Sequence, residues 1–190
     1  MQSRVLERLD ARTRGSSKFS DIRWWTLTAT ASLDSYRNHL IDVYGFEAAV
    51  EAAIAYSPGF AELVDRRPSS RSGLVATDLL TLGLTPAEIA NLPQYAITPF
   101  SGPAVALGWW YVLDKSTRLF GEWQARLAMQ MPACEAFAYL RLHRHNAADD
   151  WNELGAILDR IVTTVEMEVD VGTAAVDALD RERAWYRRAH

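Results

Sequence analysis

The run Ala106-Leu107-Gly108-Trp109-Trp110-Tyr111-Val112-Leu113-Asp114-Lys115-Ser116-Thr117-Arg118-Leu119-Phe120-Gly121 decides the fold class. The apolar run that ends in it, Gly102 to Leu113, is the longest of the chain and too short to span a bilayer. A continuous apolar segment of this length, opened by Pro103 and bounded by glycine, reads as a buried helix rather than a strand. The spacing predicts one long helix from Pro103 past Leu127.

The neighbours share that period. Val5, Leu6 and Leu9 predict a first helix ending near Gly15, and Ser16 to Ile22 reads as a break. Trp24, Trp25 and Leu27 open an apolar segment of unassigned type. Leu33, Tyr36, Leu40, Val43, Tyr44 and Val50 recur at helical spacing, so a helix runs from Leu33 to Tyr56 and ends at Pro58-Gly59. Arg66 to Gly73 is a polar connection, and Leu74 to Leu82 a short helix. Thr85-Pro86-Ala87-Glu88 carries a capping box with proline at the first helical position. Pro93 to Gly102 is irregular. Pro132 is expected to open a helix to about His145, and Asn146 to cap a last one from Ala147 to near Arg188. No hairpin signal, internal repeat or second domain appears, so residues 1–190 read as one all-α domain.

Composition narrows the class. The chain has 190 residues, 49% hydrophobic and 23% charged, an ordinary globular balance. A net charge of −4 gives no basic field for nucleic acid. Lys18 and Lys115 are the two lysines, and the other cations are arginines, whose guanidinium forks suit carboxylates. Cys134 is the single cysteine, so no intramolecular disulfide forms. The charged N-terminus lacks the apolar core of a secretory signal, and the expected location is cytoplasmic, without a membrane.

The run from Ala106 to Gly121 resembles the distal-helix motif of bacterial haem oxygenases of the phytochrome-associated type, roughly small-x-Gly-x-x-Tyr-Val-Leu-Glu-Gly-Ser-x-x-Gly-Gly. Leu9-x-x-x-Thr13 resembles the start of that family's first helix, and Leu33-x-x-Tyr36-x-x-x-Leu40 its second. The resemblance covers most of the chain, but only Tyr111 to Ser116 is specific. It implies a haem-oxygenase-like bundle of about seven to nine helices, with haem as the candidate cofactor. Oxidative haem cleavage would then need iron, oxygen and an external electron donor.

The departures from the motif concern the haem itself. The proximal histidine position is Ser17, a poor iron ligand beside imidazole. The basic residue seven positions earlier, which faces a propionate in the family, is Asp10. Distal glycines let backbone pass over the iron; here Lys115, Leu119 and Phe120 stand at those positions, and a one-residue shift rescues Gly121 alone. Phe120 or Leu119 is expected to fill the haem space with Lys115 at its rim, snorkelling or paired with an acid.

Other candidates carry a functional and a bland reading. His39, beside Leu40 on an apolar stripe, is an alternative iron ligand or a core histidine with a hydrogen-bond partner. His143 and His145 lack metal-pair spacing. Glu166, Glu168 and Asp170 lack the histidines of a di-iron site and read as a solvated face. Cys134, near an expected helix start, is a comparison with the thiaminase nucleophile or plain core. Trp109, Trp110, Tyr111 and Trp123 line a ligand cavity or pack helices. Two functions follow: a tetrapyrrole-linked protein, either a haem oxygenase of altered ligation or a binder of haem or bilin, and a non-catalytic helical module that works through a protein partner.

Overall fold

The computed structural model describes residues 3–15, 18–64, 70–141 and 147–188. Among them are ten helices and no strand, one more than the upper expected count. α1 (Arg4–Thr13) is capped by Ser3, whose hydroxyl accepts from the Leu6 N–H, and it buries Val5, Leu6, Leu9 and Thr13. α2 (Lys18–Ala29) settles the unassigned segment as helix and starts inside the expected break. α3 (Leu33–Ala55) opens on a Ser32/Ser35 capping box. After the one-turn α4 (Phe60–Leu63), α5 (Arg71–Thr81) begins three residues before the expected Leu74. Ser70 caps it, and the Glu51 carboxylate accepts from the Arg71 and Ser72 backbone N–H groups. α6 (Pro86–Ala90) carries the Thr85/Glu88 box.

Three expected helices are corrected. The run from Pro103 divides into α7 (Pro103–Thr117) and α8 (Phe120–Gln130). The Ser116 and Thr117 hydroxyls donate back to the Leu113 and Asp114 carbonyls and compete with the helical ladder at that point. The last helix divides into α9 (Ala147–Ile161) and α10 (Val165–Arg188). The β-branched run Val162-Thr163-Thr164 interrupts it, and the Thr164 hydroxyl caps α10 by accepting from the Met167 N–H. Pro132 opens no helix through Arg141. There the Asp78 carboxylate accepts from the Ala138 and Tyr139 N–H groups at 2.7 and 2.9 Å, and Tyr36 donates to the Ala136 carbonyl. Side chains thus meet the backbone needs that a helix would have met. Asn146, the expected cap, lies outside the described residues, as do His143 and His145.

α7 is the central helix. It lies along α10 so closely that a Cβ on Gly108 would stand 2.5 Å from the Val171 carbonyl oxygen. α1 packs on α9 and α10, α3 on α5 and α7, and α2 on α8. Two apolar clusters result. One gathers the C-terminal half of α3 with α1, α7, α9 and α10; the other gathers the N-terminal half of α3 with Trp24, Val75, Phe120, Trp123 and Phe137. On α3, Glu47 sits between the residues that feed the two clusters. Among the described residues no helix is long and apolar enough to cross a membrane.

Candidate functional site

α1 and α7 meet through a polar group built on Asp10, Thr13, Tyr111 and Lys115. The Thr13 hydroxyl donates to the Leu9 carbonyl at 2.7 Å, and the Tyr111 hydroxyl donates to Asp10 Oδ1 at 2.7 Å. Each hydroxyl has one hydrogen, so both oxygens are left as acceptors. Lys115 Nζ supplies both, at 2.9 Å to Thr13 Oγ1 and 2.9 Å to Tyr111 Oη, and lies 3.0 Å from Asp10 Oδ1. An ammonium has three hydrogens, so the group is saturated. Burial raises the Tyr111 phenol well above its ordinary pKa, with the Thr13 hydroxyl 2.9 Å away opposing and the Asp10 carboxylate adding. Arg118 approaches Asp10 Oδ2 at 3.8 Å and lies over the Trp151 ring. Beside the group is a cavity of about 630 Å³ with Asp10, Arg14, Arg118 and Trp151 on its wall.

The other expected site residues lie elsewhere. Ser116 turns towards the second cluster, its hydroxyl 3.3 Å from the Arg71 guanidinium. Phe120 is buried against Tyr139, Trp123 and Trp24, with ring centroids 4.7, 5.8 and 6.3 Å away, and Leu119 packs half-buried against the same cluster. His39 is buried edge-on to Trp24, ring centroids 4.1 Å apart. Ser17 lies outside the described residues. So Tyr111 and Lys115 are brought together, Ser116 and Phe120 meet at Arg71, and His39 joins neither group.

Arg71, read from sequence as part of a polar loop, is 2% exposed. Its guanidinium donates to Glu47 at 3.0 Å, to Asp114 at 3.3 Å and to the Tyr139 hydroxyl at 3.4 Å. Tyr139 donates to Glu47 Oε1 at 2.5 Å. Glu47 was open to detection: it falls on the apolar stripe of α3 between Val43 and Val50. Nothing in the local sequence marks Arg71. The Cys134 thiol, outside any helix, is pushed above its ordinary value by burial, the opposite of an activated nucleophile. Glu168 pairs with Arg8 at 2.6 Å, and no group of three metal-ligating side chains occurs among the described residues.

The all-α architecture is that of a haem-oxygenase-like fold. A comparison with solved structures finds the NO- and CO-bound haem oxygenase of Neisseria meningitidis, at a TM-score of 0.78 and 18% identity, over 97% of this chain and 91% of that one. The likeness is one of fold. No family model matches the sequence, and a comparison with curated proteins finds no significant match.

Haem, which this fold implies, is poorly matched by the described residues at the seam. They offer iron an ammonium, a carboxylate, a hydroxyl and a phenol held neutral, all already committed to one another. The one described imidazole, His39, lies in the other cluster.

Proposed function

We propose that this chain is a haem-oxygenase-like scaffold that does not carry out histidine-ligated haem cleavage and acts by binding. The observation that supports this reading is the Lys115 ammonium, which draws Asp10 and Thr13 of α1 onto Tyr111 of α7. Opening that seam for a porphyrin would strip three acceptors from a half-buried cation and leave Asp10 facing the ligand. The test is reduction of haemin-loaded protein in air. The expected outcome is no conversion to biliverdin beyond that of haemin alone; a tight one-to-one complex that turns over to biliverdin would overturn the reading.

A second reading is a tetrapyrrole binder without cleavage. The cavity of about 630 Å³ beside the seam favours it, since Arg14 and Arg118 on its wall suit propionate carboxylates. Titration with biliverdin separates the two: saturable visible-band shifts lost in Arg118→Ala support the binder, and no shift supports the scaffold. Should haemin itself give a defined axial spectrum, His39→Ala is the first variant to compare.

A further inference from the structure

On α7 the seam residues Tyr111 and Lys115 are four apart and share one face; Trp110 and Leu113 face another way. There lies a separate cavity of about 470 Å³, bounded by α3, α4, the start of α5 and α7. Three aromatic side chains, Tyr56, Phe60 and Trp110, stand on its wall together with the carboxylate of Glu51. Phe60 and Trp110 are edge to face, centroids 5.9 Å apart, and both are 4% exposed, whereas Tyr56 is 78% exposed at the rim.

Among the described residues on its wall the charged side chains are Glu51 and Arg71. The Arg71 guanidinium is spent on Glu47, Asp114, Ser116 and Tyr139. Glu51 is held by neutral donors alone: the Arg71 N–H, the Ser72 N–H and the Ser72 hydroxyl. The Ser72 N–H is shared between the two carboxylate oxygens, so three donors make four contacts with Glu51. Among the described residues no guanidinium or ammonium pairs with it. Burial raises the Glu51 carboxyl above its usual range, with Glu47 adding and Ser72, the Arg71 N–H and the more distant Arg71 charge opposing. The Trp110 indole N–H, also buried, meets no acceptor among the described residues.

A carboxylate with no ion pair among the described residues, beside three aromatic side chains in a cavity of ligand size, suits organic ammonium ions. We propose that this cavity binds a small organic cation, an amine on an apolar body, with Glu51 receiving the ammonium and Tyr56, Phe60 and Trp110 enclosing the rest. An acceptor atom on that body would complete the Trp110 N–H. Different residues from the α1–α7 seam carry this site, so each proposal can fail alone.

The probes are benzylamine and benzyltrimethylammonium, with benzyl alcohol and benzoate as neutral and anionic isosteres. Calorimetry of the full chain reads binding, and melting temperature gives a second readout. Both cations are expected to bind saturably at one site and raise the melting temperature, with the isosteres at least about tenfold weaker. Glu51→Gln keeps the acceptor oxygen that caps α5 and is expected to weaken the cations about tenfold, leaving benzyl alcohol unchanged. Tyr56→Ala removes an exposed wall without touching the core and is expected to weaken benzyltrimethylammonium about threefold. Absence of saturable binding by either cation overturns the proposal. So does equal binding of cation and isosteres, or cation binding that neither substitution alters.

Discussion

Lys115 has as many hydrogens to give as it has acceptors around it, so its removal is felt by three partners at once. Lys115→Met is expected to cost about 1–2 kcal/mol in urea denaturation, because Thr13 and Tyr111 lose their donor. Partial exposure of the Lys115 and Asp10 side chains, 19% and 35%, keeps the figure from being larger. An unchanged midpoint would show that the ion pair does not hold the seam. Arg71 is the harsher case. Arg71→Met leaves Glu47 buried and Asp114 half-buried beside an apolar chain and is expected to cost about 3–5 kcal/mol. Arg71→Lys should recover little, since one ammonium cannot span acceptors set out for a planar fork. At this scale the sequence was half legible. The resemblance to the haem-oxygenase motif singles out Lys115, and the spacing of α3 sets an acid on its apolar stripe. That Asp10 meets Lys115, and that a loop arginine reaches Glu47, depend on separations of about 100 and 24 residues that no local pattern encodes.

The elements ended where side chains competed with the backbone, and this is where spacing misled. From Pro103 to Leu127 the apolar period runs on, yet Ser116 and Thr117 bend back to their own carbonyls and the chain turns. After Pro132 the period suggests a helix, but Asp78 takes the Ala138 and Tyr139 N–H groups instead. By contrast the α3 start and the Thr85 box rest on local chemistry and were legible. Asp78 gives that clip a pH signature. Burial, opposed by its two backbone donors, lifts its carboxyl from 3.8 to about 6. The folded state therefore holds this proton more tightly than the unfolded one. The stability this group contributes is complete below about pH 4, falls as pH rises to about 6, and is flat above. In paired urea titrations, the stability of the wild type relative to Asp78→Asn should fall across that window. A difference that rises or stays level would contradict the assignment. Along the other side of α7, Gly108→Ala would push a methyl into the α10 backbone, and a loss of about 1–3 kcal/mol is expected in the same assay. No loss would mean that α7 and α10 are free to separate.

For the molecule as a whole, helical periodicity gives the all-α class, and the resemblance at the run from Ala106 points to the haem-oxygenase-like fold that the structural comparison finds. At the α1–α7 seam Lys115, Asp10, Thr13 and Tyr111 are tied to one another, and the proposal that the chain takes up no histidine-ligated haem rests on that contact. An absorbance titration with haemin tests this most directly, on the wild type and on Ser17→His/Lys115→Gly, which sets an imidazole at the position the resemblance assigns to the proximal ligand and removes the ammonium. The expected result is no stoichiometric Soret band for the wild type and a measurable one for the double variant. A wild-type protein that takes up one equivalent of haemin with the spectrum of a histidine-ligated haem would contradict the closed seam.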